Sequence, residues 1–172
     1  MSKEVNVGIA DVKAGRNPTI LITIGLGSCV GIALYDATNK IGALAHIMLP
    51  SSKESANSEN KAKFADTAIP LAIDMIKKLG GDASKLTAKI AGGANMFSFS
   101  NSEATIGERN VMAVKEALKE KALNILKVFE KTGVKTVVLD HHLTRDLKWR
   151  DLSLIHISEP TRPRLISYAV FC

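Results

Sequence analysis

A cysteine and a histidine in the first third of the sequence are the side chains best suited to covalent chemistry. Cys29 follows a glycine-rich turn, Gly25-Leu26-Gly27-Ser28, and His46 lies 17 residues later in a short apolar run. A thiol must lose its proton to attack a carbonyl carbon, and a neighbouring imidazole can take that proton. The pair therefore suggests a thiol hydrolase, provided that the fold brings the two side chains together.

Other interpretations of these residues stay open. A free cysteine among apolar residues is often a small core side chain, and an isolated histidine is often a hydrogen-bonded core residue. The glycines of the turn suit a phosphate poorly. A dinucleotide fingerprint needs its third glycine where Val30 stands, and Gly31 comes one position late. No Gly-Lys-Ser of a phosphate-binding loop follows the turn either.

Short strands and glycine corners must position the two side chains. Alternating and apolar runs between turn residues predict four strands, over residues 5–12, 19–24, 30–35 and 41–49. The polar segment 51–60 is predicted to form a loop close to the His46 strand. A second glycine corner, Gly92-Gly93, is expected to approach the first.

Two helices are predicted after the four strands. Residues 66–79 have apolar side chains at helical spacing, with Asp66 as the N-cap. A strand over residues 87–91 follows, and then a second amphipathic helix that begins at Glu108 and runs on through Lys131. The order β-β-β-β-α-β-α predicts an α+β fold, or layered α/β sandwich, in which a β-meander packs against two helices.

Composition and charge exclude several classes of function. A chain of 172 residues suits one domain. The net charge of the chain is +6. Residues 1–120 carry 14 basic and 12 acidic side chains, so most of the basic excess lies in the last third, and no basic block is interleaved with aromatic residues. We therefore expect no nucleic-acid partner. Without a signal peptide or an apolar run of membrane length, we expect a cytoplasmic protein with no membrane insertion.

Five segments occur in an order and spacing typical of one protein family. They are residues 21–30 (LITIGLGSCV), 42–50 (GALAHIMLP), 63–68 (KFADTA), 89–97 (KIAGGANMF) and 106–110 (IGERN). In these segments, and over residues 4–120 as a whole, the chain resembles the CheD family, the chemoreceptor glutamine deamidases of chemotaxis. The α/β sandwich of that family agrees with the predicted fold class.

The resemblance implies an amidohydrolase that converts glutamines of methyl-accepting chemotaxis receptors to glutamate and releases ammonia through a thioester intermediate. By motif, Cys29 is the nucleophile, His46 is the general base and then acid, and Thr23 orients His46. We expect backbone amides around Gly27 to Cys29 to form the oxyanion hole, with Gly27 and Ser28 as the substrate and oxyanion residues. No cofactor and no metal are expected.

The implied partners are the receptors, together with a CheC-type phosphatase. An alternative function belongs to another class, a non-catalytic chemotaxis interaction module that docks on receptors or on such a phosphatase. Release of ammonia from a receptor peptide distinguishes the two functions.

The last third of the chain departs from the family pattern. We predict a truncated deamidase domain over residues 1–122 that lacks the closing C-terminal hairpin, and a foreign or artefactual tail over 123–172 with no independent domain. Residues 121–151 resemble a fragment of an archaeal metallo-β-lactamase-like protein, and 152–172 resemble an adapter-derived artefact. Asp140-His141-His142 contains metal-ligand types, but the further ligands that such a site needs are absent, and we expect no metal there.

Overall fold

The computed structural model describes residues 3–94 and 104–121 with their side chains, and the backbone of three later strands. In chain order the elements are β1 (Lys3–Asn6), β2 (Asp11–Arg16), β3 (Thr19–Ile24), β4 (Val30–Asp36), β5 (Ile41–Ile47), α1 (Ala65–Lys78), β6 (Leu86–Gly92), α2 (Ile106–Glu120), β7 (Asn124–Glu130), β8 (Thr136–Asp140) and β9 (Tyr168–Phe171). Single 3₁₀ turns lie at Ser52–Glu54 and Ala83–Lys85.

The described strands form two sheets. The central sheet has the order β2-β5-β4-β6-β7, and the outer sheet has the order β1-β3-β8-β9. In the central sheet β2, β5, β4 and β6 pair antiparallel with their neighbours, whereas β7 pairs parallel with β6. The glycine turn between β3 and β4 therefore carries the chain from the outer sheet to the central sheet. The predicted α+β fold, with β-meander strands and two helices, is confirmed.

Side-chain alternation gives the central sheet two different sides. The helix-facing side packs against α1 and α2 in one continuous apolar cluster. From the strands this cluster takes Val30, Ile32, Leu34, Ile41, Ala43, Ala45 and Ile47, and from the helices Ile69, Ile73, Ile76, Val111, Val114 and Leu118. On the inner side, Ala33, Leu44 and Ala91 pack against Val7 and Leu21. The fold thus has three layers, with the central sheet between the outer sheet and the helices.

The N-terminal strand is interrupted where the sequence predicts one continuous run. Residues 5–12 are divided between β1 and β2, which belong to different sheets. Between the two strands Ala10 adopts a left-handed φ of 56°, and its N–H donates to the carbonyl of His46. A single strand cannot pair with both sheets, so the chain turns here.

Helix α1 begins one residue earlier than predicted, and its N-cap is Phe64 rather than Asp66. The Asp66 carboxylate lies within the first turn, where a negative charge favours the helix dipole. It accepts hydrogen bonds from the hydroxyls of Ser51 and Ser52 and from the N–H of Ser52. The carboxylate therefore anchors the start of the 51–60 segment instead of capping the helix.

The prediction that the second helix continues through Lys131 is wrong. Helix α2 begins at Ile106 with a Thr105–Glu108 capping box and ends at Glu120, and β7 follows it. The β7 segment contains β-branched and aromatic residues, which suit a strand. It pairs with the edge of β6 whose backbone N–H and carbonyl groups would otherwise lack strand partners. Pairing with that edge outweighs the helical spacing. Neither described helix has the length and apolar content that a membrane span requires.

Candidate active site

Cys29 lies at the end of the turn that joins the two sheets. Gly25 and Gly27 have φ values of 81° and 52°, a left-handed conformation that favours glycine. The N–H of Cys29 donates to the carbonyl of Leu26 at 2.8 Å, which closes the turn, and β4 begins at the next residue. The thiol side chain is half-buried and carries no disulfide. The turn thus holds the sulfur at the open end of a strand.

The second glycine corner holds this turn from the end of β6. The N–H of Gly93 donates to the carbonyl of Cys29 at 2.9 Å, and the N–H of Ala94 donates to that of Gly27 at 2.8 Å. A Cβ atom on Gly92 would lie 2.2 Å from the Cys29 carbonyl oxygen, so a side chain at this position would force the backbones apart. The two glycine corners are therefore in contact, as the sequence predicts.

His46 is fully buried on β5, on the inner side of the central sheet. Its cross-strand partner on β4 is Gly31, which has no side chain. Continued alternation directs Cys29, two residues before Gly31, to the same side of the sheet. In the described residues the imidazole bonds only to Thr23, and its Nε2 has no hydrogen-bond partner, so no hydrogen bond joins it to the thiol. The pairing of Cys29 with His46 as nucleophile and base stays a prediction.

Thr23 reaches His46 from the facing outer sheet. Its Oγ1 lies 2.8 Å from Nδ1 of His46, and its hydroxyl donates to the carbonyl of Val7 at 2.7 Å. A hydroxyl has only one proton, so Oγ1 must accept from Nδ1–H of the imidazole. The hydrogen-bond network thus assigns the neutral ring its proton on Nδ1 and leaves the lone pair on Nε2.

Burial sets the protonation of the thiol and the imidazole. It lowers the pKa of His46 to about 4 and raises the pKa of the Cys29 thiol above its ordinary value. Both groups are therefore neutral at pH 7. Nε2 of His46 is buried with no hydrogen-bond partner in the described part of the chain, an arrangement that costs roughly 1–3 kcal/mol. Nε2 is thus the atom on which the predicted base role of His46 depends.

The backbone amides of the turn differ in their availability. The N–H of Cys29 is engaged by Leu26, whereas the N–H groups of Gly27 and Ser28 make no hydrogen bond to another described residue. The amide of Cys29 is therefore already used within the turn. The oxyanion role of Gly27 and Ser28 stays a prediction.

Asn110 on α2 is a contact of this site that sequence reasoning missed. Its Nδ2 donates to the carbonyls of Ser28 at 3.0 Å and Met48 at 2.9 Å. The IGERN segment was recognised as a family motif, but it gave no role for the asparagine. One signal was present: Asn110 shares a helix stripe with Val114 and Leu118, and a buried amide on an apolar stripe needs partners.

Metal ligands do not cluster within the part of the chain that the structure describes. There, no group of three or more His, Cys, Asp or Glu side chains is placed to hold an ion. The backbone of Asp140 ends β8, while His141 and His142 lie outside the described residues. The absence of a metal at this segment stays a prediction.

Comparison with known proteins assigns the chain to a family. The family model of CheD, described as CheD chemotactic sensory transduction, matches residues 48–140. A probable chemoreceptor glutamine deamidase CheD from Syntrophomonas wolfei is 55% identical over 128 residues, which cover 73% of this chain and 80% of the relative. Proteins of the same name from Desulforamulus reducens (55% over 125 residues; 72% and 75%) and Clostridium botulinum (52% over 126 residues; 72% and 78%) are also similar. The chain belongs to the CheD family.

The family match extends past the predicted boundary at residue 122. It includes α2, β7 and β8, and β8 pairs with β3 of the outer sheet. The division of the chain into 1–122 and 123–172 stays a prediction, as do the further resemblances of residues 121–151 and 152–172.

Proposed function

We propose that this protein is a protein-glutamine deamidase that acts on methyl-accepting chemotaxis receptors. Membership of the CheD family supports the activity, because relatives 52–55% identical carry the name chemoreceptor glutamine deamidase. One observation carries the assignment of roles. Thr23 fixes the imidazole proton on Nδ1, which leaves a buried Nε2 that has no hydrogen-bond partner in the described part of the chain. These residues precede residue 48, where the family match begins, so their roles rest on geometry and motif.

In the first step the Cys29 sulfur attacks the carboxamide carbon of a glutamine side chain. Nε2 of His46 takes the thiol proton as the carbon–sulfur bond forms. The carbonyl π electrons move onto the oxygen, and the N–H groups of Gly27 and Ser28 stabilise the resulting negative charge.

In the second step the tetrahedral intermediate collapses. The electron pair returns from the oxygen, the carbon–nitrogen bond breaks, and the nitrogen takes the proton from His46 and leaves as ammonia. The product is a thioester between Cys29 and the substrate. His46 then takes a proton from water, the hydroxide adds to the thioester, and the sulfur leaves and is reprotonated. The released side chain is glutamate.

Thr23, the third residue of the proposed set with Cys29 and His46, is neutral, whereas a carboxylate in its place would carry a negative charge. Thr23 can orient His46 and accept from Nδ1–H, but it supplies no negative charge to raise the pKa of the imidazole. The pKa of His46 therefore stays near 4 at rest. Proton transfer must accompany the attack, because neither burial nor Thr23 favours a preformed thiolate–imidazolium pair.

The proposed partners include the receptors and a CheC-type phosphatase. Three of the large apolar side chains that are exposed lie close in sequence to residues of the site. Ile24 follows Thr23, Met48 lies two residues after His46, and Ile106 begins α2. Ile24 alternates with Thr23 and so faces the other side of the outer sheet, which means that these exposed residues do not identify the substrate. The protein substrate is proposed from the names of the relatives. We propose a cytoplasmic location, in which the thiol of Cys29 stays reduced.

The test is ammonia release from a receptor cytoplasmic fragment, with mass spectrometry to locate each glutamine that becomes glutamate. We expect activity in the wild-type chain and in Cys172→Ala, and none in Cys29→Ala. Free glutamine should react poorly, because it lacks the binding energy of the remote protein surface. Wild-type activity in Cys29→Ala would contradict the mechanism. Receptor binding without ammonia release from any variant would favour the non-catalytic interaction module.

A further inference from the structure

The hydrogen-bond ladder between β4 and β5 ends just before the reacting groups. Its last pair is Val30 with Ile47, and the next positions along the two strands are Cys29 and Met48. These two residues use their backbone groups elsewhere. The N–H and carbonyl of Cys29 bond to Leu26 and Gly93, and the N–H of Met48 donates to Lys63. The sheet itself therefore does not hold the two segments together at this point.

Asn110 joins the two segments where the ladder stops. Its Nδ2 donates one proton to the carbonyl of Ser28 and the other to that of Met48, at 3.0 and 2.9 Å. Ser28 precedes the nucleophile, and Met48 lies two residues after the base. One side-chain amide thus spans the backbone that carries the thiol and the backbone that carries the imidazole.

The chemistry of the two partners fixes the orientation of this amide. A carbonyl oxygen only accepts, so nitrogen and not oxygen must face both segments. The opposite atom, Oδ1, is left buried without a hydrogen-bond partner in the described part of the chain. A buried acceptor without a partner is unfavourable, so a residue retained only for packing would be better replaced by an apolar side chain.

The helix that carries Asn110 is held rigidly against the same turn. A Cβ atom on Gly107 would lie 2.7 Å from the carbonyl oxygens of Gly93 and Ala94, so the first turn of α2 touches the second glycine corner directly. The Thr105–Glu108 capping box fixes the start of the helix. Gly93 also donates to the carbonyl of Cys29. The start of α2, the second glycine corner and the turn before Cys29 are therefore in direct contact with one another.

We infer that Asn110 is a positioning residue that sets the spacing between Cys29 and His46, an inference that rests on the proposed function. It touches neither the thiol nor the imidazole. It holds their backbones at the separation over which the thiol proton passes to Nε2. Without it, the turn and the end of β5 move independently beyond the last ladder pair, and the base loses its alignment with the sulfur.

The experiment measures two quantities in the full chain. One is ammonia release from a receptor cytoplasmic fragment. The other is the rate of Cys29 alkylation by iodoacetamide from pH 5 to 10, read by mass spectrometry on the peptide that contains Cys29. The variants are Asn110→Ala, Asn110→Ser and His46→Ala. Leu118→Ala serves as the matched control, because Leu118 is buried on the same helix stripe but belongs to the apolar cluster.

We expect Asn110→Ala to lower both the deamidation rate and the alkylation rate at pH 7 by about tenfold or more, and to shift the alkylation profile towards that of His46→Ala. Asn110→Ser, which keeps one donor, should fall between wild type and Asn110→Ala. Leu118→Ala should lower the melting temperature at least as much and leave the alkylation profile unchanged.

Two outcomes would overturn the inference. In one, Asn110→Ala has the alkylation profile of wild type or of Leu118→Ala. In the other, both Asn110 variants are unfolded, which would assign the residue to the fold. If wild type releases no ammonia while the alkylation profiles differ as expected, the positioning role stands and the deamidase assignment fails.

Discussion

The two sides of the central sheet have opposite character, although the same strands form both. Residues of β4 and β5 that face the helices are apolar and fully buried, apart from the buried carboxylate of Asp36 at the end of β4. On the inner side, the same strands carry Gly31 and His46, neighbouring β6 carries the buried Lys89, and Thr23 faces them from the outer sheet. Adjacent residues of one strand therefore face different environments: Ile47 packs in the apolar cluster, whereas His46 bonds to Thr23 on the inner side.

The helix-facing side mainly stabilises the fold, whereas the inner side contains the buried polar side chains of the proposed site. The helix-facing side is mostly apolar, so burial of apolar surface dominates its contribution, although it also buries Asp36 and Asn110. The inner side holds an imidazole whose Nε2 has no hydrogen-bond partner among the described residues, which lowers stability, and the proposed mechanism uses that atom as the base. Substitutions on the two sides should therefore affect different measurements.

The largest expected effect is on activity and comes from the inner side. His46→Ala should reduce ammonia release by roughly 10²–10⁴-fold, because the thiol loses the group that takes its proton. The urea midpoint of unfolding should fall less than in Ile47→Ala, because removal of the buried acceptor offsets part of the cost of the cavity and of the lost Thr23 contact. Initial rates and urea titrations on the same preparation check this. A loss of activity that merely follows a loss of folded protein would erase the distinction between the two sides.

The neighbouring residue on the helix-facing side should show the reverse. Ile47→Ala removes a fully buried side chain and should lower the free energy of unfolding by roughly 2–5 kcal/mol. Where the variant remains folded, its ammonia release should stay within a few-fold of wild type. Urea titration measures the first quantity and rates at low temperature the second. A hundredfold loss of activity in folded Ile47→Ala would show that the two sides are coupled.

The pH dependence of stability should report the burial of His46. Above about pH 6.5, an ordinary histidine value, the imidazole is neutral in both folded and unfolded chains. As the pH falls towards 4, the unfolded chain takes up a proton that folded His46 with its pKa of about 4 does not, so stability declines. The loss should reach up to roughly 3 kcal/mol. Urea titrations from pH 4 to 7 on wild type and His46→Gln isolate this contribution.

In that comparison the carboxylates contribute equally to both proteins. Burial acts to raise the pKa of Asp36, but hydrogen bonds from Asn39, Asp82 and Thr38 together lower it, so the stabilising effect of Asp36 also declines in acid. The difference between wild type and variant therefore belongs to His46. Identical slopes in the two proteins would show that the imidazole is not buried in its neutral form.

The smallest expected effect concerns Thr23. Thr23→Val keeps the shape of the side chain but removes the acceptor for Nδ1–H and the link to Val7. The loss of one hydrogen bond should slow ammonia release by about tenfold, less than His46→Ala. Thr23→Ser, which keeps the hydroxyl, is the control and should retain most of the activity. Equal losses in Thr23→Val and His46→Ala would assign Thr23 a reacting role rather than an orienting one.

Much of the fold could be predicted from local patterns. The strands that hold Thr23 and His46 appear close to their predicted bounds, as does α1, because turn residues and periodicity marked them. Tertiary context decided what the patterns could not. The strand β7 took an edge of the sheet although its sequence also suits a helix, and Asp66 bonded to a distant loop rather than to its own helix.

The site was less accessible to sequence reasoning than the fold. The types and spacing of Cys29 and His46 indicated a thiol and a base, but nothing local showed that β3 faces β5 from another sheet. The partner Val7 depends on this arrangement, and Asn110 depends on the packing of α2 against the turn and the end of β5. Val7 contributes only its backbone carbonyl oxygen, which every residue has, so the residue type at position 7 could not predict this contact. The protonation of His46 likewise required the hydrogen bonds to be known.

The most direct test of the account is to trap the covalent intermediate. A short glutamine-containing receptor peptide is mixed with the protein, the reaction is stopped in acid within the first turnover, and the intact mass is measured. The account predicts an adduct with the mass of the peptide less one ammonia, located on Cys29 and absent from Cys29→Ala. His46→Ala should form it far more slowly. Release of ammonia from the peptide with no such adduct at any time, or with the adduct on another residue, would contradict the account.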